Sequence, residues 1–209
     1  MKDVERVLIG IAAPTCAGKT TLLRELEQRM GDELIAFSFD EYLYPNNSLE
    51  LTRVRAEHPE FTNWENPLIY DYQRYLDDLD KLKSGLSVTI FSYSQKVQRE
   101  GFSQRIVTPK TYTLIEGLYV FLTPDAVQAF DKRFFIDIPN TEVINRRLAR
   151  RQLNSTAPWD SESYIRTEMI EGVEYYVNPQ REYAHTILDG LKPTHVLAEE
   201  VIFEITRSS

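Results

Sequence analysis

Val7-Leu8-Ile9-Gly10-Ile11-Ala12 runs directly into Ala13-Pro14-Thr15-Cys16-Ala17-Gly18-Lys19-Thr20, and Leu22, Leu23, Leu26 and Met30 follow at helical spacing before Gly31. A short run that is nearly all apolar predicts a strand buried on both faces of a parallel sheet. The spaced leucines predict a helix over 19–30 that stops at the glycine. The eight residues between strand and helix have the spacing of a phosphate-binding loop, with Ala13 where the leading glycine normally stands. In such a loop the main-chain N–H groups and the helix dipole hold phosphate oxygens. Gly18 lets the backbone approach, Lys19 brings a charge to the β- and γ-phosphates, and the Thr20 hydroxyl ligates Mg²⁺. The pattern arises by chance in roughly 1–2% of chains this long on ordinary residue frequencies, and the strand-to-helix setting removes most such accidents. Residues 13–21, that is Ala13, Pro14, Thr15, Cys16, Ala17, Gly18, Lys19, Thr20 and Thr21, are therefore the expected contacts of ATP. Cys16 reads as a small residue that fits the loop, because no base beside it suggests a nucleophile or redox role.

Outward from the loop, Leu34–Phe39 is a second apolar run that ends at Asp40, and the polar stretch 44–67 predicts an irregular connection with short helical pieces. Asp71–Gly85 carries Tyr72, Tyr75, Leu76, Leu79 and Leu82 on one helical face. Ser87–Ser94 and Arg105–Lys110 predict a strand pair whose tip, 95–103, is a candidate flap. Further strands are expected at Tyr112–Phe121, Phe134–Ile138 and His185–Leu188, and helices near Pro124, over Thr141–Leu153, over Ser161–Val177 and over Val196–Ile205. Strands alternating with helices imply an α/β fold, a parallel sheet flanked by helices. The 209 residues show no repeat or linker and read as one domain over 1–209.

Composition narrows the class. With 42% hydrophobic and 27% charged residues and no biased tract, the chain is globular. A net charge of −8 supplies no general attraction to nucleic acid or anionic lipid, so an anionic ligand needs a local site. A single cysteine suits a reducing compartment, and no run of 18 apolar residues or cleavable leader is visible, so a cytoplasmic protein away from membranes is expected. Self-association into a homo-oligomer is left open.

A nucleotide site alone does not separate a kinase from a switch. Asp40, at the carboxyl end of the second strand, would emerge at the same sheet edge as the loop and accept the proton of an attacking hydroxyl. Its plain alternative is a helix cap. Glu116, at the end of Thr113-Leu114-Ile115-Glu116-Gly117, sits as a Walker B carboxylate does, a magnesium contact or else a residue at a bend. Arg146, Arg147, Arg150 and Arg151 crowd one helix, so some should reach a transferring phosphate while others form a solvated basic face. Lys96 and Arg99 at the flap suit an anionic or sugar-phosphate acceptor or are simply solvated. His58, His185 and His195 are too scattered for a metal site, and Trp64 and Trp159 line the cleft and lid or simply pack.

Taken together, Gly10-Ile11-Ala12…Gly18-Lys19-Thr20-Thr21, Ser38-Phe39-Asp40-Glu41-Tyr42, Asn63-Trp64-Glu65-Asn66-Pro67 and Ile115-Glu116-Gly117 resemble the uridine kinase and phosphoribulokinase family of P-loop kinases, over about residues 6–190. The resemblance implies a P-loop NTPase fold with a β-hairpin flap, an acceptor region over about 40–110 and an arginine-bearing lid over about 146–165. It implies Asp40 as catalytic base, with Lys19, Arg147, Arg150 and Arg151 in the catalytic set and Thr20 and Glu116 at the metal. Acceptor contacts are expected from Asp40, Tyr42, Glu65, Tyr93 and Lys96, with Glu65 one methylene longer than the aspartate of the family's segment. Pro179…Tyr183-Ala184 matches a further family pattern. Phe91-Ser92-Tyr93-Ser94-Gln95-Lys96-Val97-Gln98 lacks the Asp, His and Arg that contact the nucleoside in uridine kinases, which points to an acceptor other than uridine.

The expected activity is ATP-dependent, Mg²⁺-requiring phosphoryl transfer to a hydroxyl of a small sugar-like or nucleoside-like metabolite. A nucleotide-binding regulator without kinase activity is the competing reading, and Asp40 with the 63–67 segment favours the kinase. A nucleic-acid kinase is disfavoured by the charge.

Overall fold

In the computed structural model, which describes residues 6–45, 48–58, 65–92, 103–154 and 161–207, five parallel strands form one sheet in the order β2-β5-β1-β6-β7. They are β1 (Val7–Ala12), β2 (Leu34–Ser38), β5 (Tyr112–Gly117), β6 (Lys132–Asp137) and β7 (Thr186–Asp189). The apolar runs in the strands have a simple cause: the sheet is covered on both faces. Leu8, Phe37, Ile115 and Phe135 point into one core, while Ile9, Ile11, Ala36, Leu114, Phe134 and Ile136 point into the other. Helix α1 (Lys19–Met30) and helix α7 (Thr194–Thr206) cover the second face, burying Leu22 and Leu26 against Leu197, Ala198 and Val201.

The first face is closed by helices α3 (Tyr72–Lys83) and α4 (Pro124–Ala129) and by a separate antiparallel hairpin of β3 (Val88–Ser92) and β4 (Ser103–Val107). Val88, Ile90 and Val107 anchor the hairpin in the core. Asp71 caps α3 by accepting from the Arg74 amide at 3.1 Å. Among the described residues of the irregular stretch after β2 is helix α2 (Leu49–Glu57), capped by Ser48. Helix α5 (Asn140–Asn154) carries the arginines. A continuous helix α6 spans 162–177 and includes two stretches of π-helical winding, Ile165–Met169 and Val173–Val177.

The fifth strand is shorter than the apolar run Tyr112–Phe121 suggests. It ends at Gly117, and the chain then turns. The buried Gln180 side chain replaces strand partners there: its Oε1 accepts from the Phe121 amide at 2.7 Å and its Nε2 donates to the Leu118 carbonyl at 2.6 Å. Tyr119, Val120 and Phe121 still serve the core, but from a turn.

Register brings the carboxyl ends of three strands level. Ser38 of β2 lies beside Glu116 of β5, and Gly117 lies beside Ala12 of β1. On the other side of β1 stands β6, so the chain diverges from β1 in both directions, the position at which open α/β sheets bind ligands.

Candidate active site

The loop between β1 and α1 turns on two residues in left-handed backbone, Cys16 at φ 58° and Gly18 at φ 95°. Ala13 is not one of them, which is why a side chain is tolerated where the motif normally has glycine; it is fully buried and its amide donates to Gly117 O at 3.2 Å. Lys19 Nζ donates to the carbonyls of Ala13 (3.0 Å) and Pro14 (2.9 Å), so the amine already lies along the loop. Thr20 Oγ1 donates to Glu116 Oε1 at 3.4 Å. Glu116 is 3% exposed, and burial holds its carboxyl above the usual carboxylate range, opposed by the charge of Lys19 and reinforced by that of Asp40.

Asp40 is exposed in the 3₁₀ turn Phe39–Tyr42 that follows β2. Ser38 is the cap of that turn, accepting from the Asp40 amide at 3.2 Å, so Asp40 itself is not capping. The Tyr70 hydroxyl donates to Asp40 Oδ1 at 3.4 Å. Thr15, Cys16, Gly18, Lys19, Thr20, Thr21, Asp40, Glu116, Leu118, Arg146 and Arg150 line one cleft of about 370 Å³. Loop, carboxylates and arginines thus converge on a single space.

The arginines divide by helix face. Arg146 and Arg150, four residues apart, reach the cleft. Arg146 is held there by Glu142 (2.8 Å) and by the carbonyls of Gly190 (3.1 Å) and Cys16 (3.5 Å). Arg147 acts electrostatically on Glu65, and Arg151 is not among the cleft residues. The catalytic set expected from the sequence omits Arg146; its four-residue spacing from Arg150 is the signal that could have found it.

Glu65 precedes the short turn Pro67–Ile69, which Asn66 caps. Its Oε1 accepts from the Tyr164 hydroxyl at 3.3 Å, and its carbonyl accepts from the Tyr119 hydroxyl. Burial lifts its carboxyl to about 7, with Arg147, the Tyr164 bond and Lys19 opposing and Asp40 adding to the rise. The same charges therefore couple Glu65 to Asp40 and to the loop lysine. Tyr42 is placed differently: it is 1% exposed, its hydroxyl donates to Asp78 Oδ2 at 3.3 Å, and it borders a neighbouring cavity with Glu41, Tyr44, Asp71, Arg74 and Phe91. The hairpin is tied to the Asp40 turn by Arg105 to Glu41 (3.1 Å), and to α3 by Arg74 to the Thr89 carbonyl (3.0 Å). Tyr93, Lys96, Arg99, Asn63, Trp64 and Trp159 lie outside the described residues. Tyr70, Tyr119 and Tyr164 had no sequence signal, because their roles depend on tertiary approach alone.

A parallel sheet with this loop at its switch point is the fold of a P-loop nucleotide-binding protein. Among the described residues no helix is long and apolar enough to cross a membrane. The family model described as "Phosphoribulokinase / Uridine kinase family" matches residues 8–197. The uridine kinase of Chlamydia pneumoniae is 26% identical over 190 residues, covering 88% of this chain and 82% of that one. Uridine kinase-like protein 3 of Arabidopsis thaliana is 23% identical over 201 residues, 95% of this chain but 42% of that protein's length. Among solved structures, phosphoribulokinase from Rhodobacter spheroides aligns with a TM-score of 0.66 at 12% identity, covering 92% of this chain and 75% of that one. The chain belongs to the phosphoribulokinase/uridine kinase family and is a small-molecule kinase. The competing reading of a regulator without kinase activity gives way to that assignment.

Proposed function

We propose that the chain transfers the γ-phosphoryl group of ATP to a hydroxyl of a small sugar-like or nucleoside-like metabolite, with Asp40 as the base. The observation that carries this reading is that Asp40 opens onto the same cleft as the phosphate loop, beside Glu116 and Arg150. The acceptor oxygen attacks the γ-phosphorus as its proton passes to Asp40, and the bond to the β-phosphate oxygen breaks to release ADP. Lys19 and the loop amides bind the phosphate oxygens, and Arg146 and Arg150 neutralise charge developing on the transferred group. Glu65 binds and orients the acceptor.

Thr20 and Glu116 fit Mg²⁺: a hydroxyl and a buried carboxylate 3.4 Å apart are hard oxygen donors, and this ion needs only one or two protein ligands beside phosphate oxygens and water. When bound, the ion offsets charge on the phosphates. The acceptor is set by the hairpin side. The stretch 91–98 lacks the Asp, His and Arg by which uridine kinases are expected to contact the nucleoside, and the Phe91 ring at its start is covered by the Arg74 guanidinium at 4.6 Å. A pocket without those polar partners reads a nucleobase poorly.

The test is a panel of nucleosides, sugars and sugar phosphates with coupled detection of ADP. Release of ADP that depends on one class of hydroxyl acceptor is expected; release indifferent to every acceptor contradicts the reading.

A further inference from the structure

Glu65 has one more rotatable bond than an aspartate, so a carboxyl on this longer arm has more positions to lose before it can recognise a hydroxyl. Helix α6 restricts it from two directions. A Cβ built on Gly172 would overlap the Cβ of Glu65, so the helix backbone packs against the base of the side chain, and only glycine permits that approach. At the other end, the Tyr164 hydroxyl donates to Oε1 at 3.3 Å. Tyr164 is itself fixed in the first turn of α6, its amide donating to the Ser161 cap at 3.1 Å. Gly172 and Tyr164 lie eight residues apart on a helix with two π-wound stretches, and such stretches often mark functional positions.

We propose that Tyr164 is a positioning residue for acceptor recognition: through its hydroxyl it holds the Glu65 carboxylate in the one orientation that serves the acceptor, while touching neither substrate itself. The proposal rests on the reading of Glu65 as an acceptor contact. The groups acting on the Glu65 carboxyl come from four separate elements, Arg147 of α5, Tyr164 of α6, Lys19 of α1 and Asp40 after β2, while the hydroxyls of Tyr70 and Tyr119 feel its charge. The hydrogen bond from Tyr164 favours the ionised form of the carboxyl against burial. Removing it leaves the charge less well held and the arm freer to turn.

The experiment is the full-length Tyr164→Phe variant, followed first by carbon-13 NMR of the glutamate carboxyls, with the Glu65 signal identified by its loss in Glu65→Gln. The Glu65 midpoint, about 7 in the parent, is expected to move up by about one pH unit, the effect of one hydrogen bond to a charged group. An unchanged midpoint overturns the proposal. In a second arm the probe is the compound that the panel of nucleosides, sugars and sugar phosphates shows to be phosphorylated: its KM is expected to rise about tenfold with KM for ATP unchanged, and an equal rise in both contradicts a positioning role. The carboxyl titration reads the role of Tyr164 independently of which acceptor the panel identifies.

Discussion

The Tyr70 hydroxyl donates to Oδ1 of Asp40 at 3.4 Å from within the core, so the exposed carboxylate of the cleft is aimed by a buried ring. That ring packs against Phe39 (4.8 Å) and Tyr119 (5.4 Å). Burial, and then the charge of Asp40, pushes the Tyr70 hydroxyl well above its ordinary range, which keeps it a donor at any working pH. Tyr70→Phe is expected to lower kcat roughly tenfold, the worth of one hydrogen bond to a charged group, and to leave ATP binding intact. Steady-state kinetics beside ATP titration calorimetry separates the two quantities.

The arginines make a sharper contrast. Arg150 lines the cleft and Arg151, one residue on, does not. Arg150→Ala should cost about 10²-fold in kcat, as expected when a donor to developing charge is lost. Arg151→Ala should cost at least tenfold less than that. Parallel kinetics on the two variants measures the difference, and equal losses would mean that the helix acts as a diffuse positive field.

Glu65 also sets a pH dependence of stability. Its carboxyl is raised by burial to about 7 in the folded chain, against an ordinary value of 4.5. The folded state therefore holds a proton that the unfolded chain has released, and stability falls as pH rises from about 4.5 to 7. The contribution lost is at most about 3 kcal/mol, at about 1.36 kcal/mol for each pH unit between the two midpoints. Urea unfolding of the parent and of Glu65→Gln at pH 5 and pH 8 should show a smaller fall in the variant, because its amide cannot ionise.

Phe39 is fully buried and stands within 4.8 to 6.2 Å of the rings of Tyr42, Tyr70, Tyr72, Tyr75 and Tyr119. Phe39→Ala removes the centre of that cluster and is expected to destabilise the fold by about 3–5 kcal/mol. Chemical denaturation measures it, and a loss under about 1 kcal/mol would show that the cluster closes over the gap.

Much of this architecture can be read from the chain, for reasons that belong to particular residues. Val7–Ala12 and Leu34–Ser38 are apolar without alternation because helices cover both faces of the sheet, and a buried parallel strand leaves that trace. The loop is legible because its chemistry is backbone chemistry and needs Gly18 and Lys19 in fixed places. Leu118–Phe121 misleads, since the run stays apolar after both neighbouring strands have ended, with the distant Gln180 taking up its backbone groups. Helix α2 is one of the short helical pieces expected within 44–67, but its bounds are hard to place because of its residues only Leu51 is buried, leaving little period to detect. Tyr70, Tyr119 and Tyr164 are scattered along the chain, and nothing local distinguishes a tyrosine that holds an acid from one that fills a core.

The most direct test is Asp40→Asn, assayed for ATP binding by calorimetry and for transfer to the acceptor found in the panel. ATP should bind within about twofold of the parent, because the loop and Lys19 are untouched, while turnover should fall by about 10²–10⁴, the range for loss of a positioned base. Turnover close to that of the parent would contradict the assignment of Asp40 and with it the account of the cleft.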